Sequence, residues 1–279
     1  MQAGSLKIPR RLGIYVFMLI MMAVWIAPIY TLIATAVKAK KDFYNNIGLF
    51  ALPPEIAWSN FFNAVTKGRL MQYIRNDLIV CCLKVPLGIF VSALAAFAMT
   101  RLNIKHKTGI FIFFIIGMML PVQTALVPIN VIYSRLKLLN TYIGLFYVYV
   151  GFGISYSILI LRGFFRTIPR DIDDAGLIDG CSKWRLFWNI ILPIAKPAIA
   201  TLVIMDFLAT WNEYIIALVI INDNSKKTVP VGLMTFVGEH GTDYGYLCAG
   251  VLISVAPVLL VYLIFQRYFV EGMGGAVKQ

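Results

Sequence analysis

The sequence has few charged residues and few of the residue types that build catalytic or metal sites. Only 14% of its 279 residues are charged, whereas about a quarter are charged in soluble domains. It has two histidines, His106 and His240, and no His-Glu-x-x-His pattern, which argues against a histidine-based metal site. It also has no Gly-Lys dipeptide, so the phosphate-binding loop of nucleotide hydrolases is absent. We therefore expect a chain that is not an enzyme and binds no metal or cofactor itself.

The cysteines and the basic residues exclude two further classes. Cys81, Cys82, Cys181 and Cys248 show neither metal-ligand spacing nor a disulfide pattern. The formal net charge is +12, but the basic residues are scattered over short loops instead of forming one basic face. This distribution predicts contact with phospholipid headgroups and an acidic partner surface, and no nucleic-acid binding.

Long apolar runs make up most of the chain, which is 60% hydrophobic. About 20 apolar residues cross a bilayer as a helix. Because lipid offers no hydrogen-bond partners, and because the runs lack the alternation of a membrane barrel, we interpret them as helices. The sequence predicts an all-α integral membrane protein with six transmembrane helices, at Leu12–Val37, Asn76–Thr100, Gly109–Ile132, Tyr142–Leu161, Ile194–Ile221 and Leu247–Phe269.

An even number of spans places both termini on one side of the membrane. Basic residues in the N-terminal segment 1–11 and in the link 101–108 favour the cytoplasmic side, which would also hold the tail 271–279. The loop Lys38–Arg75 then lies outside although it is also rich in lysine and arginine, so the loop charges do not all agree. Its Pro53-Pro54 pair and aromatic residues predict a small packed cap.

The stretch Pro169–Pro197 is the longest part of the chain that is both charged and patterned. Acids open a first short helix at Asp171–Ile178, Asp179-Gly180 marks a turn, and Ser182 can cap a second helix. Small residues allow another protein to approach closely. We interpret this polar element between two spans as a docking surface, the alternative being an ordinary solvated loop.

Ionisable residues also occur inside the predicted spans. Lys84 lies in the second, and Asp206, Thr210 and Glu213 lie on nearly one face of the fifth, beside Asn212. A charge at membrane depth is costly unless it is paired or hydrated. These residues either line a polar translocation path or have a structural role, as an interhelical pair or as groups near the lipid headgroups. The sequence alone does not decide between these alternatives.

The docking stretch resembles the cytoplasmic loop with a Glu-Ala-Ala motif found in ABC importer permeases. Asp174-Ala175-Gly176 is followed by Gly180 at the family spacing and by an Ile-x-Leu-Pro ending at 190–193. The segment 178–182 is similar to the Ile-Asp-Gly-Ala-Ser of the carbohydrate, maltose-type branch. Further likenesses lie at Asn76, 211–213, 229–233 and 266–278. Asp174, Gly176 and Cys181 depart from the usual Glu, Ala and Ala.

The resemblance implies the type I permease fold over 12–270 and the smaller of two permease subunits in a bacterial or archaeal plasma membrane. Its partners would be a second, larger permease, two ATPase subunits that bind ATP and magnesium, an extracytoplasmic solute-binding protein, membrane lipid and a sugar. The loop 169–193 would be the coupling helix, and Thr235, Gly238, Glu239 and His240 would contact the binding protein. The implied coupling residues are Asp171, Asp174, Ala175, Gly176, Asp179, Gly180, Cys181 and Phe187.

The cargo and the energy source have alternatives. A neutral di- or oligosaccharide is favoured because Lys84 is the one base deep in the predicted spans apart from Lys196, which we expect near the cytoplasmic face. Close relatives of the family also carry glycerol phosphates or uronate oligosaccharides. An ion-driven secondary transporter is the hypothesis from another class, and Lys84, Asp206 and Glu213 motivate it. A membrane-embedded enzyme would need a catalytic constellation that the sequence lacks.

Overall fold

A computed structural model describes residues 8–44, 48–237 and 242–275. Within those residues all regular structure is helical, as the apolar runs predict. The chain divides into two compact units. One comprises Met1–Leu70 and Leu233–Val255, and the other comprises Met71–Gly232 and Ala256–Gln279.

The first unit contains the predicted cap. Its helices are α1 (Ile8–Ala36), α2 (Lys40–Tyr44), α3 (Ser59–Thr66) and the first part of α14 (Tyr244–Gly275), with a 3₁₀ turn at Met234–Phe236. The buried Asn60 amide of α3 donates to the carbonyls of Ala36 and Lys38, at 2.9 and 2.8 Å. These bonds hold α3 against the end of α1, so the loop between the first two spans is a packed element, as expected.

The second unit is built around α7 (Tyr142–Thr167), which packs against α5 (Lys107–Met119), α11 (Lys196–Trp211) and α12 (Ile215–Ile220). A buried core that includes Val80, Leu145, Tyr149 and Ile216 joins α7 and α12 to α4 (Leu70–Arg101). The unit also contains α6 (Val122–Arg135), α8 (Arg170–Ile178), α9 (Lys183–Leu186), α10 (Leu192–Ile194), α13 (Val229–Leu233) and the second part of α14.

Four helices are long and apolar enough to cross a membrane by themselves, and two bent pairs raise the number to as many as six. The predicted span Gly109–Ile132 is not one helix, because α5 and α6 meet at 93°. Pro121 lies at this break with extended backbone, and its missing N–H cannot continue the ladder of α5. The predicted fifth span is also divided, into α11 and the short α12.

Candidate coupling loop and membrane cavity

The loop between α7 and α11 forms the predicted helix–turn–helix. Its first helix, α8, ends at Ile178, and Gly180 follows with a φ of +80°. Glycine suits this left-handed backbone because it has no Cβ to clash with the next carbonyl. Ser182 then caps α9, its hydroxyl oxygen accepting from the Arg185 N–H at 3.3 Å. A π-helical stretch, Phe187–Ile191, carries α9 on towards the membrane helices.

Two of the predicted coupling residues face the interior of the chain instead of a partner. Gly176 is buried under Leu186 and Ile190, and a Cβ at this position would lie 2.9 Å from the Ile190 side chain. Phe187 is fully buried, with its ring 5.2 Å from that of Phe97. Gly176 and Phe187 therefore add no surface that a partner could touch, and their coupling role stays a prediction. The glycine is there so that α8 can pack closely on the second helix.

The opposite side of the loop is open to a partner. Asp171, Asp174, Ala175, Asp179 and Gly180 are exposed, and Cys181 is half-buried. Ile178, which the sequence analysis did not select, is 85% exposed at the end of α8. The preceding residue, Leu177, is apolar and also exposed. We name the exposed residues Asp174, Ala175, Ile178, Asp179 and Gly180 the loop tip.

A buried ion pair ties α8 to the end of α4. Arg101 Nε and Asp173 Oδ2 are 2.9 Å apart, and the two side chains are only 3% and 7% exposed. The Arg101 guanidinium also donates to the Ile168 carbonyl at 2.9 Å. Arg170 donates to the Thr100 carbonyl at 2.7 Å. The base of the loop is thus fastened to α4 from both directions, a link that the sequence does not indicate.

Burial makes this pair expensive. It raises the pKa of Asp173, and the positive charges of Arg101 and Arg170 only partly offset the effect. The second oxygen, Oδ1, is buried without a hydrogen bond among the described residues. A buried pair of this kind fixes geometry more than it stabilises the fold, because the loss of hydration consumes the Coulomb attraction.

A cavity of about 260 Å³ brings together four of the five predicted path residues. Lys84 of α4 and Asp206 of α11 form a buried ion pair across it, which is the interhelical pair that the sequence left open. Thr210 lines the same cavity, although its hydroxyl donates back to the Asp206 carbonyl at 2.7 Å. Aromatic side chains complete the wall, namely Tyr149, Phe152 and Tyr156.

Glu213 lies where the fifth predicted span breaks. Its carboxylate accepts from the N–H groups of Ile216 and Ala217, at 2.8 and 3.0 Å, and from the Tyr149 hydroxyl at 2.8 Å. It therefore caps the first turn of α12 with a negative charge, which the helix dipole favours. Asn212 does not line the cavity. It is exposed, and its amide donates to the Leu208 carbonyl at 3.0 Å.

The segment after α12 is fixed to the start of α4. The Asn76 amide donates to the carbonyls of Ser225 and Lys227, each at 2.9 Å, and Asp77 accepts from the Val229 N–H at 3.1 Å. Of the residues predicted to contact a binding protein, Thr235 lies in the 3₁₀ turn. Gly238, Glu239 and His240 lie outside the described residues.

Residues 85–274 match the family described as "binding-protein-dependent transport system inner membrane component". This match covers more than half of the chain, including the loop between α7 and α11 and every residue of the cavity wall except Lys84. The chain belongs to this family. The permease is thus a multi-pass membrane component of a transport system and not an enzyme.

Relatives cover almost the whole permease. A probable ABC transporter permease of Bacillus subtilis strain 168, YurM, is 33% identical over 95% of this chain and 88% of its own. AmyC of Thermoanaerobacterium thermosulfurigenes, a probable permease for starch degradation products, is 30% identical over 94% of each chain.

A solved structure shares the fold of the permease. It comes from a bacterial ABC transporter that imports the acidic polysaccharide alginate, and it matches 96% of this chain and all of its own with a TM-score of 0.82. At 20% identity this likeness shows the fold alone. The predicted type I permease fold is confirmed.

Proposed function

We propose that the permease forms half of the translocation pathway of an ATP-driven sugar importer. In this proposal the loop tip docks on a separate ATPase subunit, which binds ATP and magnesium. A second permease, a second ATPase subunit and an extracytoplasmic solute-binding protein complete the complex, and both termini are cytoplasmic. The observation that carries the proposal is the exposed tip on a loop whose base is fastened to α4 by Arg101 and Asp173.

One helix, α4, connects the base of the loop to the cavity. Arg101 is the last residue of α4, and Lys84 lies seventeen positions earlier on the same helix, which is about 26 Å along the axis. A shift of α8 that pulls Arg101 along the helix axis would therefore reach the Lys84–Asp206 pair through one continuous helix. An ATPase can in this way change the shape of a cavity that it does not touch.

The cavity suits an uncharged carbohydrate. The charge of Lys84 is balanced by Asp206, and Glu213 is occupied by backbone N–H groups. No unpaired cation lines the cavity among its described residues, and an anionic cargo would require one. Tyr149, Phe152 and Tyr156 offer apolar surface for the faces of sugar rings. The starch products carried by AmyC agree with a neutral di- or oligosaccharide.

An acidic carbohydrate is the second candidate, because the alginate transporter shares the fold. Uptake into proteoliposomes that hold the complete transporter and its binding protein distinguishes a neutral from an acidic cargo. Neutral maltooligosaccharides and uronate oligosaccharides would be offered in turn. Preferred uptake of the uronates would overturn the neutral-cargo proposal, and uptake without ATP would favour the ion-driven alternative.

The docking proposal is tested by Ile178→Asp. This exposed side chain supports no packing within the chain, so the variant should fold normally while it loses ATP-driven uptake. Asn224→Asp, an exposed change in another loop, is the matched control and should transport at the wild-type rate. Wild-type uptake by Ile178→Asp would contradict docking through the loop tip.

A further inference from the structure

The short helix α3 has an inverted distribution of side chains. It buries the polar Asn60 together with Ala64, whereas Trp58 and Phe62 are 68% and 69% exposed. Val65 is exposed as well. Because these three positions follow one another at intervals of four and three residues, they lie on one side of the helix. A helix facing water would present the opposite arrangement.

Exposed apolar residues also occur in the segment before α3 and on α1. Phe50, itself exposed, stacks on Tyr30 of α1 with ring centres 6.4 Å apart, and the Tyr30 hydroxyl donates to the Phe50 carbonyl at 2.9 Å. The apolar window of the α1 span has none of its residues buried. Exposed apolar surface therefore runs from a membrane-crossing helix into the cap. The further exposed apolar residues are Leu49, Leu52 and Ile56.

Exposed basic residues lie in the same loop as these apolar residues. Four basic residues between positions 38 and 69 are exposed, namely Lys40, Lys41, Lys67 and Arg69. The acids of the same segment are Asp42, which is buried and accepts from the Ala39 N–H, and the exposed Glu55. Lys38 is different, because it is buried and donates to the carbonyls of Gly48 and Leu49. The exposed charge of the cap is thus four positive against one negative.

We propose that this surface is a membrane anchor that binds anionic phospholipid headgroups. We define the anchor face as Phe50, Trp58, Phe62 and Val65 with the cations Lys41 and Lys67. The apolar side chains enter the boundary between headgroups and acyl chains, and the lysines contact phosphates.

The short connections between the cap and two membrane-crossing helices support lipid as the occupant. Three residues separate the end of α3 at Thr66 from the start of α4 at Leu70, a gap that spans at most about 14 Å even when fully extended. The other end of the cap begins just after α1, at Lys40. Both connections are short, which limits how far the cap can lie from these two membrane-crossing helices. The anchor also accounts for the basic residues in a loop that the proposed orientation places outside.

A photo-crosslinking residue in place of Phe62 tests the occupant directly. The complete transporter would be assembled in nanodiscs that contain phosphatidylglycerol and then irradiated. We expect a phospholipid adduct at position 62 by mass spectrometry, and none from the same residue at Asn224, which is exposed in a polar loop. An adduct with another subunit, or no adduct, would overturn the proposal. The result does not depend on sugar transport.

The charges are tested separately with Lys41→Gln/Lys67→Gln. A basic residue near an anionic surface contributes about 1 kcal/mol, or about a fivefold change in affinity. We expect the double variant to retain phosphatidylglycerol about 25-fold less strongly in native mass spectrometry. Binding of phosphatidylcholine should not change, and Lys41→Arg/Lys67→Arg should behave as wild type. Equal phosphatidylglycerol binding by all three proteins would refute the role of the lysines.

Discussion

Removal of Arg101 should damage the permease far more than neutralisation of its partner. Arg101→Ala takes away the ion pair and the bond to the Ile168 carbonyl, and it leaves the Asp173 carboxylate buried without a counter-charge. Loss of one partner of a buried pair costs about 3–5 kcal/mol. We therefore expect the free energy of unfolding of Arg101→Ala to fall by about that amount.

Asp173→Asn should cost less, about 1–2 kcal/mol. It leaves the Arg101 guanidinium without a counter-charge, but that group keeps its bond to the Ile168 carbonyl and can still donate to the amide oxygen. The amide keeps the shape of the side chain, and burial already disfavours the charged carboxylate, as its raised pKa indicates. When Asp173→Asn is added to Arg101→Ala, it removes the stranded charge. The double variant should therefore be more stable than Arg101→Ala, by about 2 kcal/mol.

Two measurements check this cycle. Denaturant unfolding of the purified transporter in detergent gives the four free energies. Uptake and ATP hydrolysis in proteoliposomes, measured at a temperature where all four proteins are folded, give the coupling. We expect hydrolysis without uptake in Arg101→Ala and partial uptake in Asp173→Asn. Wild-type stability and uptake in Arg101→Ala, or strictly additive effects, would refute the link between the loop and α4.

Further predictions concern pH, capping, the cavity and the turn. Because burial raises the pKa of Asp173, its contribution to stability is complete below the unfolded value and is lost as the pH rises through the folded value. Thermal unfolding from about pH 4 to about pH 7 should show wild type losing stability relative to Asp173→Asn. Glu213→Gln keeps one acceptor for the N-terminus of α12 and should cost about 1–2 kcal/mol, seen as a lower unfolding temperature. Lys84→Met should cost about 3–5 kcal/mol and Lys84→Met/Asp206→Asn much less; if the cargo is neutral, the double variant should still take it up. Gly180→Ala, at a φ of +80°, should cost about 1–2 kcal/mol and slow uptake, and unchanged stability would contradict the assigned turn.

The helical fold and the helix–turn–helix structure of the loop were predictable because their causes are local. Long apolar runs form helices in lipid because the backbone N–H and carbonyl groups must then bond to one another. Asp179-Gly180 and Ser182 specify a turn and a cap through their own conformations, and the structure places them there. The break at Pro121 was hidden, since apolar residues continue on both sides and composition alone does not separate one bent crossing from two helices.

The contacts between distant positions were not predictable. Lys84 and Asp206 are 122 residues apart, and nothing in either neighbourhood specifies the partner. In the sequence, Arg101 only marks the end of an apolar run. Its role becomes visible in the structure, where Asp173 of α8 pairs with it. Gly176 likewise has the small size expected of a docking residue, and only the position of Ile190 shows that α8 turns this side inward.

In the proposed complex, the loop tip touches the ATPase. A photo-crosslinking residue in place of Ile178, in the assembled transporter, tests it most directly, because this exposed side chain lies at the end of α8. We predict a covalent adduct with the ATPase subunit, whose yield changes when ATP is added. An adduct with lipid alone, or with another subunit and never with the ATPase, would show that the loop tip does not dock on the ATPase.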